Sequence, residues 1–129
     1  MGKIIYIGLP AHGHTNPMLP VMKELVRRGQ EVLYYNAESF RDTVAPVGVD
    51  FRALPEPMPT EREVSEALRE FINAPLIFSS ITRDLAIYLI EEFERERPAL
   101  VIYDSAAGGL YRGAYVGYSQ YLLHYHFRT

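Results

Sequence analysis

The stretch that decides the fold is Ile4-Ile5-Tyr6-Ile7-Gly8-Leu9-Pro10-Ala11-His12-Gly13-His14-Thr15-Asn16-Pro17. Ile4 to Ile7 is a short apolar, β-branched run closed by Gly8, the pattern of a strand buried on both faces. A loop follows from Leu9 to Asn16. Asn16 suits a helix cap and Pro17 the first helical position. Met18, Val21, Met22, Leu25 and Val26 then recur at helical spacing and give one apolar face. Pro20 falls early in that helix, so its first turn is expected to be irregular. Arg27 and Arg28 suit the negative end of a helix, and Gly29 ends it.

Working outward, strand and helix patterns alternate. Val32 to Tyr35 reads as a second strand. Ser39 to Ala45 reads as a short helix that stops before Pro46, and Gly48 turns the chain into a third strand, Val49 to Leu54. Pro55-Glu56-Pro57-Met58-Pro59 is a loop. Thr60 and Glu63 have the spacing of a capping box for the next helix. Asn73, followed by Pro75, caps another, which runs to Arg97 and is stopped by Pro98. Ala99 to Tyr103 is a fourth strand, ending at Asp104. This alternation implies an α/β fold, a doubly wound Rossmann-like parallel sheet with helices on both faces. In the common order 3-2-1-4, strands 1 and 4 are neighbours where strand order reverses. Ligands bind there, outside the carboxyl ends of the strands.

Two groups with chemistry fall at that switch point: His12 and His14 after strand 1, and Asp104 after strand 4. A histidine oriented by a carboxylate is a standard base. The imidazole takes a proton and the carboxylate fixes its tautomer. Read from spacing alone, either histidine could be the base, and both could equally be loop residues beside a helix-capping aspartate. The charged run Glu91, Glu92, Glu94, Arg95, Glu96, Arg97 reads as a solvated helix face without catalytic role.

The 129 residues carry a formal charge of −3 and no cysteine. Disulfides and cysteine-ligated metals are therefore excluded, which fits a cytoplasmic location. No basic stripe marks a nucleic-acid binder, and no apolar run is long enough for a membrane span. The glycines do not form the dinucleotide fingerprint, which argues against a nicotinamide or flavin enzyme.

The run Gly8 to Met18 resembles the first loop of the macrolide-type UDP-glycosyltransferases. Leu25-Val26-Arg27-Arg28-Gly29-Gln30-Glu31-Val32 resembles that family's L-x-x-R-G-H-x-V run, with Gln30 where histidine is common. Val44 to Phe51 resembles its next segment, and Pro98-Ala99-Leu100-Val101-Ile102-Tyr103-Asp104-Ser105 its P-D-x-V-x-Y-D strand. The likeness runs from about Met1 to Ser105. It implies the N-terminal domain of a GT-B fold, in which two Rossmann-like domains face each other across a cleft. It implies His14 as the base that deprotonates an acceptor hydroxyl and Asp104 as the group that orients it. Transfer would proceed from a nucleoside-diphosphate sugar with inversion, and no metal is required. The region from Pro55 to Thr82 shapes acceptor preference in that family. His12, Met58, Phe71, Ile72, Leu76 and Phe78 are thus expected to contact a small, partly apolar acceptor, with Ile81 beside them. For any one of the apolar side chains, burial in a helix core is the competing reading.

Two departures bear on function. The nucleotide sugar is expected to bind a C-terminal domain that has no counterpart in these residues. On that reading the isolated chain is inactive unless a separate donor-domain subunit joins it. After about residue 105 the expected pattern is incomplete. Residues 106–129 form a Gly/Tyr-rich tail with helical spacing at Tyr111, Tyr115, Tyr118, Leu122 and Tyr125. The competing functional reading is a non-catalytic Rossmann-like fragment that self-associates through that tail. His124 and His126 are a weak metal signal, having no carboxylate nearby.

Overall fold

Four short runs of β-branched and aromatic residues become the four strands in the computed structural model, which describes residues 2–55, 60–69 and 74–104. They are β1 (Ile4–Ile7), β2 (Val32–Asn36), β3 (Asp50–Ala53) and β4 (Leu100–Tyr103). They form one parallel sheet in the order β3-β2-β1-β4, as the alternation implies. Ile5 stands opposite Leu33 on one side and Val101 on the other.

The two-residue period of the strands splits the core in two. Ile5, Ile7, Leu33 and Tyr35 point to one face. There Leu85, Leu89 and Phe93 of α5 (Ala74–Glu96) cover them. Ile4, Tyr6, Val32 and Tyr34 point to the other. There Met22 of α2 (Leu19–Arg27) and Val44 of α3 (Arg41–Val44) pack with Phe40 and Phe51. Leu89, Phe93, Met22 and Val44 are wholly buried. Each such side chain contributes about 1.5–3 kcal/mol. Helices on both faces make the sheet doubly wound.

The connections differ from the sequence expectation in three places. First, Asn16 is not a cap. Its backbone is already helical, and the helical path begins earlier, with α1 (His12–Thr15) after an extended Ala11. A 3-10 turn over Asn16–Met18 joins α1 to α2. Pro17 lies in the 3-10 turn and Pro20 in the first turn of α2, so the irregularity expected near Pro20 falls just before it, over Asn16–Met18. Second, the segment after β2 is a 3-10 turn (Glu38–Phe40), α3, and another 3-10 turn (Ala45–Val47). It passes through Pro46 instead of stopping before it, because a proline in a first turn needs no N–H donor. Third, the charged run at the end of α5 is solvated only in part: Glu91, Arg95 and Arg97 are exposed, but Glu92 and Glu96 turn inward. Glu92 is 4% exposed and accepts a hydrogen bond of 2.6 Å from Tyr35 Oη. Arg95 also pairs with Glu92. Glu96 accepts from Lys3 Nζ at 2.6 Å and Arg52 Nη1 at 2.9 Å. Burial, and then Glu92, push the Tyr35 phenol far above its usual range. The hydrogen bonds that Arg52 donates to Asp50, and then the one to Glu96, keep it firmly charged.

The helix signals at α4 (Glu61–Arg69) and α2 hold. Thr60 N donates to Glu63 Oε2 at 2.7 Å and Glu63 N to Thr60 Oγ1 at 3.2 Å, a closed capping box. Gly29 takes φ +79° at the end of α2, where a side chain would be strained. Its N–H reaches Val26 O and that of Gln30 reaches Leu25 O. The expected tail at 106–129, with His124 and His126, lies outside the described residues.

Candidate active site

The chain leaves β1 in a tight, buried loop. Leu9, Ala11 and Thr15 are 1%, 5% and 1% exposed. Ala11 N donates to Leu9 O at 2.7 Å, and Thr15 N to Ala11 O at 2.9 Å. Thr15 Oγ1 and Asn36 Nδ2 both donate to Leu9 O at 3.4 Å. Buried anchors at both ends hold the turn that carries His14. On the neighbouring strand, Asp104 N donates to Ile7 O at 3.1 Å, so the β1–β4 ladder extends to the aspartate.

The switch point therefore brings His14 and Asp104 together, 90 residues apart in sequence. His14 Nδ1 lies 3.0 Å from Asp104 Oδ2 and 3.2 Å from Oδ1. With a carboxylate at Nδ1, the neutral ring carries its proton there and leaves the Nε2 lone pair as a proton acceptor. The His14 side chain is 34% exposed and that of Asp104 10%. The arrangement is an accessible imidazole backed by a shielded carboxylate, which can accept a proton from a hydroxyl and stabilise the resulting imidazolium. Burial pushes the phenols beneath it upward, Tyr34 to about 12 and Tyr6 beyond, with the Asp104 charge adding to both. Neither phenol ionises near neutral pH.

His12 takes a different direction. Its Nδ1 lies 2.7 Å from Glu61 Oε2, and its backbone N–H donates to Glu61 Oε1 at 2.9 Å. Its ring packs 4.8 Å from that of Phe40. Glu61 is the residue that sequence reasoning missed. Beside Thr60 and Glu63 it looks like one more acid in a first helical turn, and only the fold shows that it crosses to the histidine loop. Among the expected acceptor contacts, Met58, Phe71 and Ile72 lie outside the described residues. Leu76, Phe78 and Ile81 lie on α5, whose far end meets Lys3 at the start of β1, so they fall on the half directed to the carboxyl ends of the strands. Their side chains are outside the described set. Among the described residues, no group of three or more His, Asp or Glu could hold a metal ion. No helix among them is long and apolar enough to cross a membrane.

Comparison with known proteins bears on the fold that carries these residues. No protein-family model matches the chain. An uncharacterized UDP-glucosyltransferase of Bacillus subtilis (strain 168) is 29% identical over 107 residues, covering 81% of this chain and 26% of that protein. The demethyllactenocin mycarosyltransferase of Streptomyces fradiae is 33% identical over 115 residues, covering 81% of this chain and 24% of that protein. The crystal structure of the glycotransferase of kitacinnamycin superposes with a TM-score of 0.67 at 25% identity, covering 93% of this chain and 28% of that one. The proteins this chain matches are UDP- and NDP-glycosyltransferases, and its parallel sheet with flanking helices matches the N-terminal domains of GT-B glycosyltransferases. The chain matches the N-terminal portion of these relatives and spans about a quarter of the length of the curated ones. The four-stranded sheet of this chain matches that of their N-terminal domain.

Proposed function

We propose that this chain forms the acceptor side of an inverting glycosyltransferase. His14 Nε2 takes the proton of an acceptor hydroxyl as its oxygen attacks the anomeric carbon of a nucleoside-diphosphate sugar. The new C–O bond forms as the bond to the diphosphate breaks, and the diphosphate leaves with the electron pair. Asp104 holds the His14 ring and stabilises its protonated form. The donor binds a second domain or subunit across the cleft, and the acceptor is a small, partly apolar hydroxyl compound bordered by His12 and the start of α5. The observation that carries this reading is the 3.0 Å contact between His14 Nδ1 and Asp104 Oδ2 at the switch point. The names of the relatives as sugar transferases support it.

The test is turnover of UDP-glucose with a panel of small phenols by the chain joined to a donor domain or subunit, followed by release of UDP. Removing a general base costs about 10²–10⁴-fold. His14→Ala should lose that much, and Asp104→Asn, which spoils the tautomer, a large part of it. Turnover in both variants at the parent rate would refute the assignment. So would a product that retains the anomeric configuration of the donor.

A further inference from the structure

We infer that Glu61 is a positioning residue: from the start of α4 it clamps the turn that carries His14. This rests on the reading of His14 as the base. The turn α1 opens at Ala11, whose side chain offers no cap. The N–H of His12 would then lack a partner, as the first donors of any helical turn do. Glu61 supplies one from 49 residues away. Its Oε1 accepts from His12 N at 2.9 Å and its Oε2 from His12 Nδ1 at 2.7 Å. These two bonds lower the Glu61 carboxyl below its ordinary range.

Glu61 is free for this because its own helix does not use it. Thr60 and Glu63 close the start of α4 between themselves. The carboxylate is thus committed to another element, and Phe40 backs the ring it holds. Between the clamped residue and His14 there is only Gly13, where an added side chain would meet nothing within 4 Å. Among the described residues nothing lies against the turn at that point, so the path to His14 is held from its two ends. Thr15 is buried at one end, and at the other the Glu61 clamp adds to the buried Ala11. Two carboxylates on different elements therefore act on one short turn. Asp104 orients the ring of His14, and Glu61 sets where that ring stands.

The proposal is tested without any turnover, by NMR on the full chain. Amide exchange is followed at His12, His14 and Thr15, with Ile5 as a reference for the sheet. The ring-nitrogen shifts of His14 report which nitrogen bears the proton. Loss of a helix cap corresponds to roughly a fivefold to tenfold change in opening. Glu61→Ala should speed exchange at His14 and Thr15 by about that factor, leave Ile5 unchanged, and mix the His14 tautomers. Glu61→Gln keeps an oxygen for His12 N and an amide N–H that Nδ1 accepts in the other His12 tautomer, and should restore both readouts. Faster exchange at His12 alone, with His14 and Thr15 unmoved, would overturn the clamp. Asp104→Asn separates the two readings. If it disturbs the His14 tautomer while Glu61→Ala does not, the dyad stands and the clamp fails. If it leaves the tautomer unchanged, the dyad itself fails.

Discussion

Gly8 shows how closely the site is packed against the sheet. A Cβ at position 8 would lie 2.9 Å from Asn36 Nδ2 and 3.2 Å from Tyr34 Oη. Asn36 is wholly buried, and its side chain ties Leu9 O and the Ala37 N–H. It cannot yield without releasing the loop that carries His14. Gly8→Ala should therefore cost about 1–3 kcal/mol, the usual range for overpacking. Urea denaturation measures this, and a loss below about 0.5 kcal/mol would mean the pocket has room. Tyr34 in the same pocket gives the opposite expectation. Its buried hydroxyl makes no hydrogen bond of good geometry among the described residues, although the Thr15 and Asn36 side chains lie beside it. A buried polar group without a partner costs about 1–3 kcal/mol. Tyr34→Phe should leave stability unchanged or raise it by up to about 1 kcal/mol in the same measurement, since packing between Tyr6 and Phe51 remains. A loss of that size would show that the hydroxyl has a partner.

At the scale of elements, α5 ends in a conformation that its sequence does not favour. Arg97 takes φ +49°, and its N–H bonds to Phe93 O at 2.9 Å. Pro98 forbids another helical turn, so the chain must reverse at Arg97, yet the residue there carries a Cβ. A left-handed L-residue costs roughly 1–2 kcal/mol. The side chain is exposed, and little is lost with it. Arg97→Gly should raise the thermal midpoint, by up to about 1 kcal/mol of stability once the entropy of glycine is counted. An unchanged or lower midpoint would show that Arg97 makes a contact that offsets its strain. The stop at Pro98 was legible in the sequence; the reversal one residue earlier was not. The same contrast runs through the other helices. The start of α4 could be read because Thr60 and Glu63 are three residues apart and cap each other. The inner role of Glu92 could not, because its partners Tyr35 and Arg52 come from other strands. A helical period shows which residues share a face but not what the sheet presents to that face.

For the molecule as a whole, strand order followed from the alternation of patterns, and the meeting of His14 with Asp104 followed from strand order. Both rest on the rule that parallel strands joined by helices wind outward from a switch point. The side-chain links between layers had no such rule. Lys3 before β1, Arg52 on β3 and Glu96 on α5 join three elements through one carboxylate. This link makes stability depend on pH. The hydrogen bond from Lys3, and then that from Arg52, hold the Glu96 carboxyl below its ordinary range. A carboxyl depressed in the folded state stabilises fully above its unfolded pKa, near 4.3. That stabilisation is lost as pH falls through the folded value. The bond to Glu96 raises the Lys3 ammonium, so its share persists below its unfolded pKa, near 10.4, and fades only at higher pH. Across the neutral range both are in force. Glu96→Gln should thus be clearly less stable than the parent at about pH 7, and the gap should be smaller at about pH 3, where the depressed parent carboxyl begins to lose its charge. Paired urea titrations at the two pH values measure the gap. If it is the same at both, Glu96 acts by packing and hydrogen-bond shape alone, and charge does not tie α5 to the amino edge of the sheet.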